Sequence, residues 1–248
     1  MQRHDITAWC AAALALLLGL SAQAGAASLQ VAPTSVVLHP GQKAEAVWLS
    51  NTGTSETVRA QVRLYKWTQV DGSDHLEPTT AMVVSPPMIE LAPDSRQLVR
   101  VVLASPVPQG AEDSYRIVVD EVPGERTGDQ PGLQFLLRYS IPVFVLPQDG
   151  DAIAHALTTH LERNGDKATL VVGNAGREHA QLADLAYVDG AGVRHELLAG
   201  LVGYVLPGRT MRWDLPAPSS LFADGGSFKA RINGEAVEQA FAPAGPRR

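Results

Sequence analysis

Residues 132–147 read GLQFLLRYSIPVFVLP, and the fold turns on how this stretch is interpreted. Leu133, Phe135, Leu137, Tyr139, Ile141, Val143 and Val145 are apolar at alternate positions, the two-residue period of a β-strand. Leu136, Phe144 and Leu146 are apolar on the opposite face, interspersed with Gln134, Arg138 and Ser140. One strand over 132–147 exceeds the usual length of about 3–10 residues. Its 141–146 half, apolar on both faces, reads as a buried central strand. Its 133–137 half follows Pro131, Gly132 and the polar loop 124–130, which predicts a position at a solvent-exposed rim. An apolar edge at a rim is an aggregation hazard unless a partner covers it.

Working outward, the flanking chain is punctuated by turns at strand spacing. His39-Pro40-Gly41-Gln42, Asn51-Thr52-Gly53-Thr54, Asp71-Gly72-Ser73-Asp74 and Pro93-Asp94 separate β-rich runs at 31–38, 44–49, 57–67, 97–104 and 114–122. After Pro147 the polar stretch Gln148-Asp149-Gly150-Asp151 marks a boundary, and the same style resumes. Runs at 168–173, 180–188, 193–198, 211–215, 228–233 and 237–241 alternate with Asn174-Ala175-Gly176, Asp189-Gly190-Ala191-Gly192, Pro207-Gly208 and Asn233-Gly234. No window holds a helical period for more than about three turns. The expectation is an all-β chain of two immunoglobulin-like sandwiches, at 28–147 and 148–248, with no visible internal sequence repeat.

Residues 1–27 read as a secretory signal: Arg3, an uncharged apolar run from Ala8 to Leu20, then small residues at Ala22, Ala24 and Ala26. The run is too short for a comfortable membrane span, which needs about 20 apolar residues. Cys10, the single Cys, lies inside this run, so neither an internal disulfide nor a Cys-rich zinc site is available. With 45% hydrophobic residues and a net charge of −6, the chain is neither a disordered polymer nor a general nucleic-acid binder. A protein without stable membrane insertion is expected.

Chemistry is sparse. There is no G-x-S-x-G elbow, H-E-x-x-H, P-loop or G-x-G-x-x-G, so no catalytic residues and no cofactor are expected. His155 and His160 are five apart, a spacing that suits neither one helix face nor one strand face, and no metal site is expected. Asp71-Gly72-Ser73-Asp74 with Glu77 lacks the pattern of a calcium loop and reads as a hairpin tip.

Taken in order, the punctuation resembles the periplasmic chaperones of the chaperone–usher pilus pathway. The matching residues are Val31 to Leu38 with Pro40-Gly41-Gln42, Leu49-Ser50-Asn51, and Ser85-Pro86-Pro87 leading to Arg96-Gln97-Leu98-Val99-Arg100-Val101. Tyr115-Arg116, Glu121-Val122-Pro123, the 133–147 stretch, Asn174-Ala175-Gly176 and Gly203-Tyr204-Val205-Leu206-Pro207-Gly208 complete the series. Trp67-Thr68 and Ile141-Pro142-Val143-Phe144 look closer to the archaic-type branch. The resemblance implies a boomerang of two immunoglobulin-like domains in the periplasm. It holds pilin subunits by donor-strand complementation, a known mode of strand addition, and delivers them to an outer-membrane usher. Leu133, Phe135, Leu137 and Tyr139 would then be the donor-strand residues.

Better-known members of that family anchor the pilin's terminal carboxylate with an Arg in the first strand and a Lys in the donor strand. Ser35 and Pro142 stand at the matching positions here, so that pair does not carry over. Arg100 and Arg138 are the candidate anchors by strand position, with Arg96 and Arg116 behind them. Two other readings compete: a secreted structural or adhesive β-sandwich of a surface fibre, and a hydrolase with an unrecognised site.

Overall fold

The computed structural model describes residues 28–123, 135–148 and 155–241. The signal reading at 1–27, Leu133 and most of the 148–151 boundary lie outside the described residues.

The first half is two facing sheets. One has the order β1 (Leu29–Ala32), β3 (Ala44–Asn51), β8 (Ser95–Leu103), β6 (Met82–Ser85). The other runs β2 (Val36–Leu38), β10 (Arg138–Val145), β9 (Asp113–Val122), β4 (Val58–Val70), β5 (Ser73–Pro78), with β7 (Met88–Leu91) also on β4. The expected 31–38 strand is thus two strands on different sheets. Pro33 has no N–H to continue a ladder, and the chain crosses the sandwich there. Leu29, Val36, Leu38, Val47, Leu49, Val62, Val99, Val101, Ile117, Val119, Ile141 and Val143 fill the space between the sheets.

The second half repeats the layout with β11 (Leu157–Asn164), β12 (Lys167–Asn174) and β15 (Thr210–Asp214) in one sheet. The other is β14 (Arg194–Val205), β13 (Ala180–Asp189), β16 (Gly226–Ile232), β17 (Glu238–Phe241). A short 3-10 helix at Ser219–Phe222 seats Phe222 against Tyr187 and Phe228. Leu170, Val172, Leu182, Leu185, Val205 and Ile232 form the centre of this core. The architecture is two immunoglobulin-like β-sandwiches, as the turn spacing predicts. The β4–β5 connection is the expected Asp71-Gly72 turn, with φ of 53° and 76°, the primed-turn geometry that two-residue hairpins require.

A repeat invisible as sequence similarity appears in the hydrogen bonds. Asn51 ends β3: its Oδ1 accepts from the Gly53 N–H at 2.9 Å. Its Nδ2 donates to the carbonyls of Glu56 at 2.8 Å, Leu91 at 3.1 Å and Ala92 at 3.2 Å. Asn174 ends β12 in the same way. Its Oδ1 accepts from Gly176 at 2.9 Å and Ala156 at 3.1 Å, while Nδ2 donates to Glu178 at 2.8 Å and Val205 at 3.0 Å. Both side chains are buried. Each Asn-x-Gly thus ties a sharp turn to a neighbouring strand, a task that needs a donor and an acceptor on one short side chain.

Asn51→Ala is expected to lower unfolding free energy by about 2 kcal/mol or more, because buried carbonyls lose their donor. Asn51→Asp, which keeps the shape but cannot donate, is expected to cost about as much. Urea unfolding of both variants checks this.

Candidate functional site

Strand β10 is bordered unequally. Along its whole length it pairs antiparallel with β9, from Arg138 opposite Asp120 to Val145 opposite Asp113. On its other edge β2 pairs only with Val143 to Val145. Over 138–142 that edge has no partner strand among the described residues.

The phase of the ladder tells which groups are free. The Glu121 N–H donates to the Leu137 carbonyl at 2.9 Å, so odd-numbered residues of β10 turn their peptide groups toward β9. The Leu146 N–H donates to Leu38 at 3.0 Å, so even-numbered ones turn toward β2 where β2 is present. The unpartnered edge therefore offers the N–H groups and the carbonyls of Arg138 and Ser140. Pro142 stands where an N–H would otherwise face out, the place a strand tolerates proline.

The long strand expected over 132–147 is corrected by the structure: β10 begins at Arg138, and Phe135 to Leu137 are not strand. Continuing the register would set Phe135 opposite Pro123, where β9 has ended. Among the expected donor-strand residues, Leu137 and Tyr139 are half-buried against the first core, and the Tyr139 hydroxyl donates to the Leu29 carbonyl at 2.5 Å. Phe135 is different: 76% exposed, with Leu136 exposed beside it. The large apolar surface at the head of β10 is thus Phe135 and Leu136.

The two expected anchor residues do not come together. Arg100 is exposed on β8, in the other sheet, paired with Ala46 and Ser85. Arg138 is exposed at the head of β10, where its guanidinium bonds Asp120, which Arg63 also bonds. Partial burial pushes the Asp120 carboxyl up, but the donors from Arg63 and Arg138 outweigh it and hold the group below the usual carboxylate range. Arg138 is committed to a partner within the chain.

Arg116, on β9 directly opposite Pro142, is a cation that faces the cleft between the two sandwiches. Its guanidinium lies 3.7 Å from the Trp67 ring centroid and 5.2 Å from that of Tyr204 on β14. Its Nη1 donates a long hydrogen bond, 3.5 Å, to the Ser140 carbonyl. Burial lowers its pKa, while Tyr204 and Asp74 raise it in part, and an arginine so placed stays charged. Trp67 and Phe144 from the first half and Tyr204 and Leu206 from the second form one buried cluster beneath it. Trp67 and Tyr204 meet edge-on at 5.3 Å. Next to this cluster the His179 ring stacks on Phe144 at 3.5 Å and bonds the buried Glu112 carboxylate at 2.7 Å. A half-buried guanidinium with donors to spare, among rings and in reduced dielectric, suits a carboxylate from outside the chain. The sequence does not single out Arg116, because nothing in it shows Tyr204 folding over the guanidinium.

Residues 28–150 match the family model described as pili and flagellar-assembly chaperone, PapD N-terminal domain. No curated protein sequence matches the chain. Among solved structures, the chain is similar in fold to one in the CsuC–CsuE chaperone–tip adhesion subunit pre-assembly complex, from the archaic Csu pili of Acinetobacter baumannii. That match has 22% identity, covers 87% of this chain and 97% of the other, and has a TM-score of 0.68. The YadV chaperone follows at 20% identity, 87% and 100% coverage and 0.63. A chain of the Salmonella enterica SafA pilin–SafB chaperone complex gives 18%, 87%, 96% and 0.61.

Amide hydrogen exchange of the free protein should show Arg138 and Ser140 exchanging fast while Tyr139 and Ile141, bonded to β9, exchange slowly. Equal protection of all four would refute the open edge.

Proposed function

We propose that this chain, which through residues 28–150 belongs to the pili and flagellar-assembly chaperone family, captures pilin subunits by lending them the open edge of β10. The observation that carries this reading is the unpartnered run at 138–142, headed by exposed Phe135 and ending at Arg116. A pilin short of one strand gains backbone hydrogen bonds from Arg138 and Ser140. Phe135, and Leu133 before it, supply apolar side chains to its open groove. Leu137 and Tyr139 keep the edge seated on the chaperone's own core. Such a chaperone works in the periplasm, reached through the 1–27 signal, and hands its subunit to an outer-membrane usher. Two domains, 28–147 and 148–248, form the walls of the cleft. The archaic-type branch suits Trp67 and Pro142, both of which shape the Arg116 environment.

Arg116 takes the role of anchor for the subunit's terminal carboxylate, in place of Arg100 and Arg138. The family's donor-strand cation is missing at Pro142, and the residue opposite it on the neighbouring strand is an arginine. The charge has moved one strand across while still facing the same cleft. A charge-assisted hydrogen bond contributes about 1.5–3 kcal/mol, enough for a tenfold change in capture.

Co-expression with a pilin subunit and recovery of the complex tests both points. Arg116→Ala should lower recovery about tenfold or more. Arg100→Ala should leave it unchanged. Phe135→Ala should lose about 1.5–3 kcal/mol of apolar burial in the complex with no change in the melting temperature of the free protein. Full capture by Arg116→Ala and Phe135→Ala together would overturn the proposal.

A further inference from the structure

Polar groups join the two sandwiches at Glu112, which bonds His179, at Arg177, which bonds the Gly110 carbonyl, and at Gln69, whose amide bonding is complete. Gln69, near the end of β4, is 2% exposed. Its Nε2 donates to the Tyr204 carbonyl at 2.9 Å and to Asp74 Oδ1 at 2.9 Å. Its Oε1 accepts from the Leu206 N–H at 2.9 Å. Every polar atom of the amide is in use, and two of its three bonds cross between the halves. Asp74 is the residue opposite Gln69 on β5, and the same Oδ1 also accepts from Trp67 Nε1 at 2.9 Å. A carboxylate and a carbonyl only accept and an N–H only donates, so Asp74, Tyr204 and Leu206 together fix the amide with its nitrogen toward the first two and its oxygen toward Leu206.

The carbonyl of residue 204 and the N–H of residue 206 are the pair a strand offers to a neighbour on one side. Strand β14 is the outer strand of its sheet. Gln69 therefore stands in for the peptide group of a missing next strand, one rung long. We infer that this rung locks the second sandwich to β4 and thereby positions Tyr204 over Arg116, making Gln69 a positioning residue for subunit capture. Three observations join in this assignment. Tyr204 touches both Trp67 and the Arg116 guanidinium, and its backbone is the part held by Gln69. The Tyr204 hydroxyl is separately held by Gln181 at 2.9 Å, so the ring is fixed at both ends. Beyond Gln69, the Gly72 tip of the same hairpin bridges Met211 on β15, so the hairpin reaches both sheets of the second sandwich. The rung sets the width of the cleft, whereas Arg116 supplies its charge. The capture half of this inference rests on the reading under Proposed function; the locking half does not.

The test uses the full mature protein, with Cys10 replaced by Ser if the leader is retained, and spin labels at Ser55→Cys and Ala191→Cys, exposed sites on the two halves. Gln69→Met keeps the length and removes all three bonds. Gln69→Glu keeps an acceptor for Leu206 but cannot donate to Tyr204 and sets a second carboxylate against Asp74. The parent should give one narrow label-to-label distance. Both variants should broaden it and lower pilin recovery about tenfold, while thermal unfolding shows both sandwiches folded. A distance as narrow in Gln69→Met as in the parent overturns the inference. A broadened distance with undiminished capture overturns the positioning role. If Arg116→Ala also captures fully, the proposed capture site fails while the lock stands. Should Gln69→Met not fold, Gln69→Glu carries the test, and a distance as narrow there as in the parent overturns the lock.

Discussion

A strand held on one edge and left open on the other is the constraint on which the rest of this molecule depends. Strand β10 has β9 along its full length, but β2 reaches only Val143 to Val145. The reason lies at Pro33, where the first strand leaves one sheet for the other and so cannot cover 138–142. Open edges are what folded proteins avoid, since unpaired backbone groups template further pairing. This one is stable in the free chain because Leu137, Tyr139 and Ile141 are packed against the core on the inner face. Its backbone is fixed and its hydrogen bonds are not, which is the state a lent strand needs.

The second element is electrostatic. Arg116 is held in a cleft whose floor is Trp67, Phe144, Tyr204 and Leu206. Rings on its face leave the guanidinium edge for a ligand, and reduced solvent access strengthens any bond it makes there. Pro142 opposite it explains why the charge is on β9: a residue without an N–H suits the open edge, and its neighbour across the ladder supplies the cation. The open edge and Arg116 belong to one sheet, with Arg116 opposite Pro142, so one chain lying along β10 would meet both.

Much of this was legible in the sequence. The period-two run at 132–147 correctly assigns Ile141, Val143 and Val145 to the core, and the Asp71-Gly72 and Asn174-Ala175-Gly176 turns fall where punctuation puts them. Periodicity does not reveal where a partner strand stops: the apolar alternation continues N-terminal to Arg138, but β9 ends at Val122 and β10 begins only at Arg138. Nor does it reveal contacts between residues far apart in the chain. Arg100 and Arg138 were as basic as Arg116, but only the fold shows Arg138 spent on Asp120, Arg100 on another sheet, and Tyr204 over Arg116. Gln69 carries no sequence signal at all, because its role is defined by backbone groups at 204 and 206.

The central claim is that a subunit's strand occupies the open edge of β10. A crystal structure of the protein in complex with a pilin subunit tests it directly. The account predicts a subunit strand paired through the peptide groups of Arg138 and Ser140, with the terminal carboxylate within hydrogen-bond distance of Arg116. A subunit docked on another surface, with that edge still bare, would contradict it.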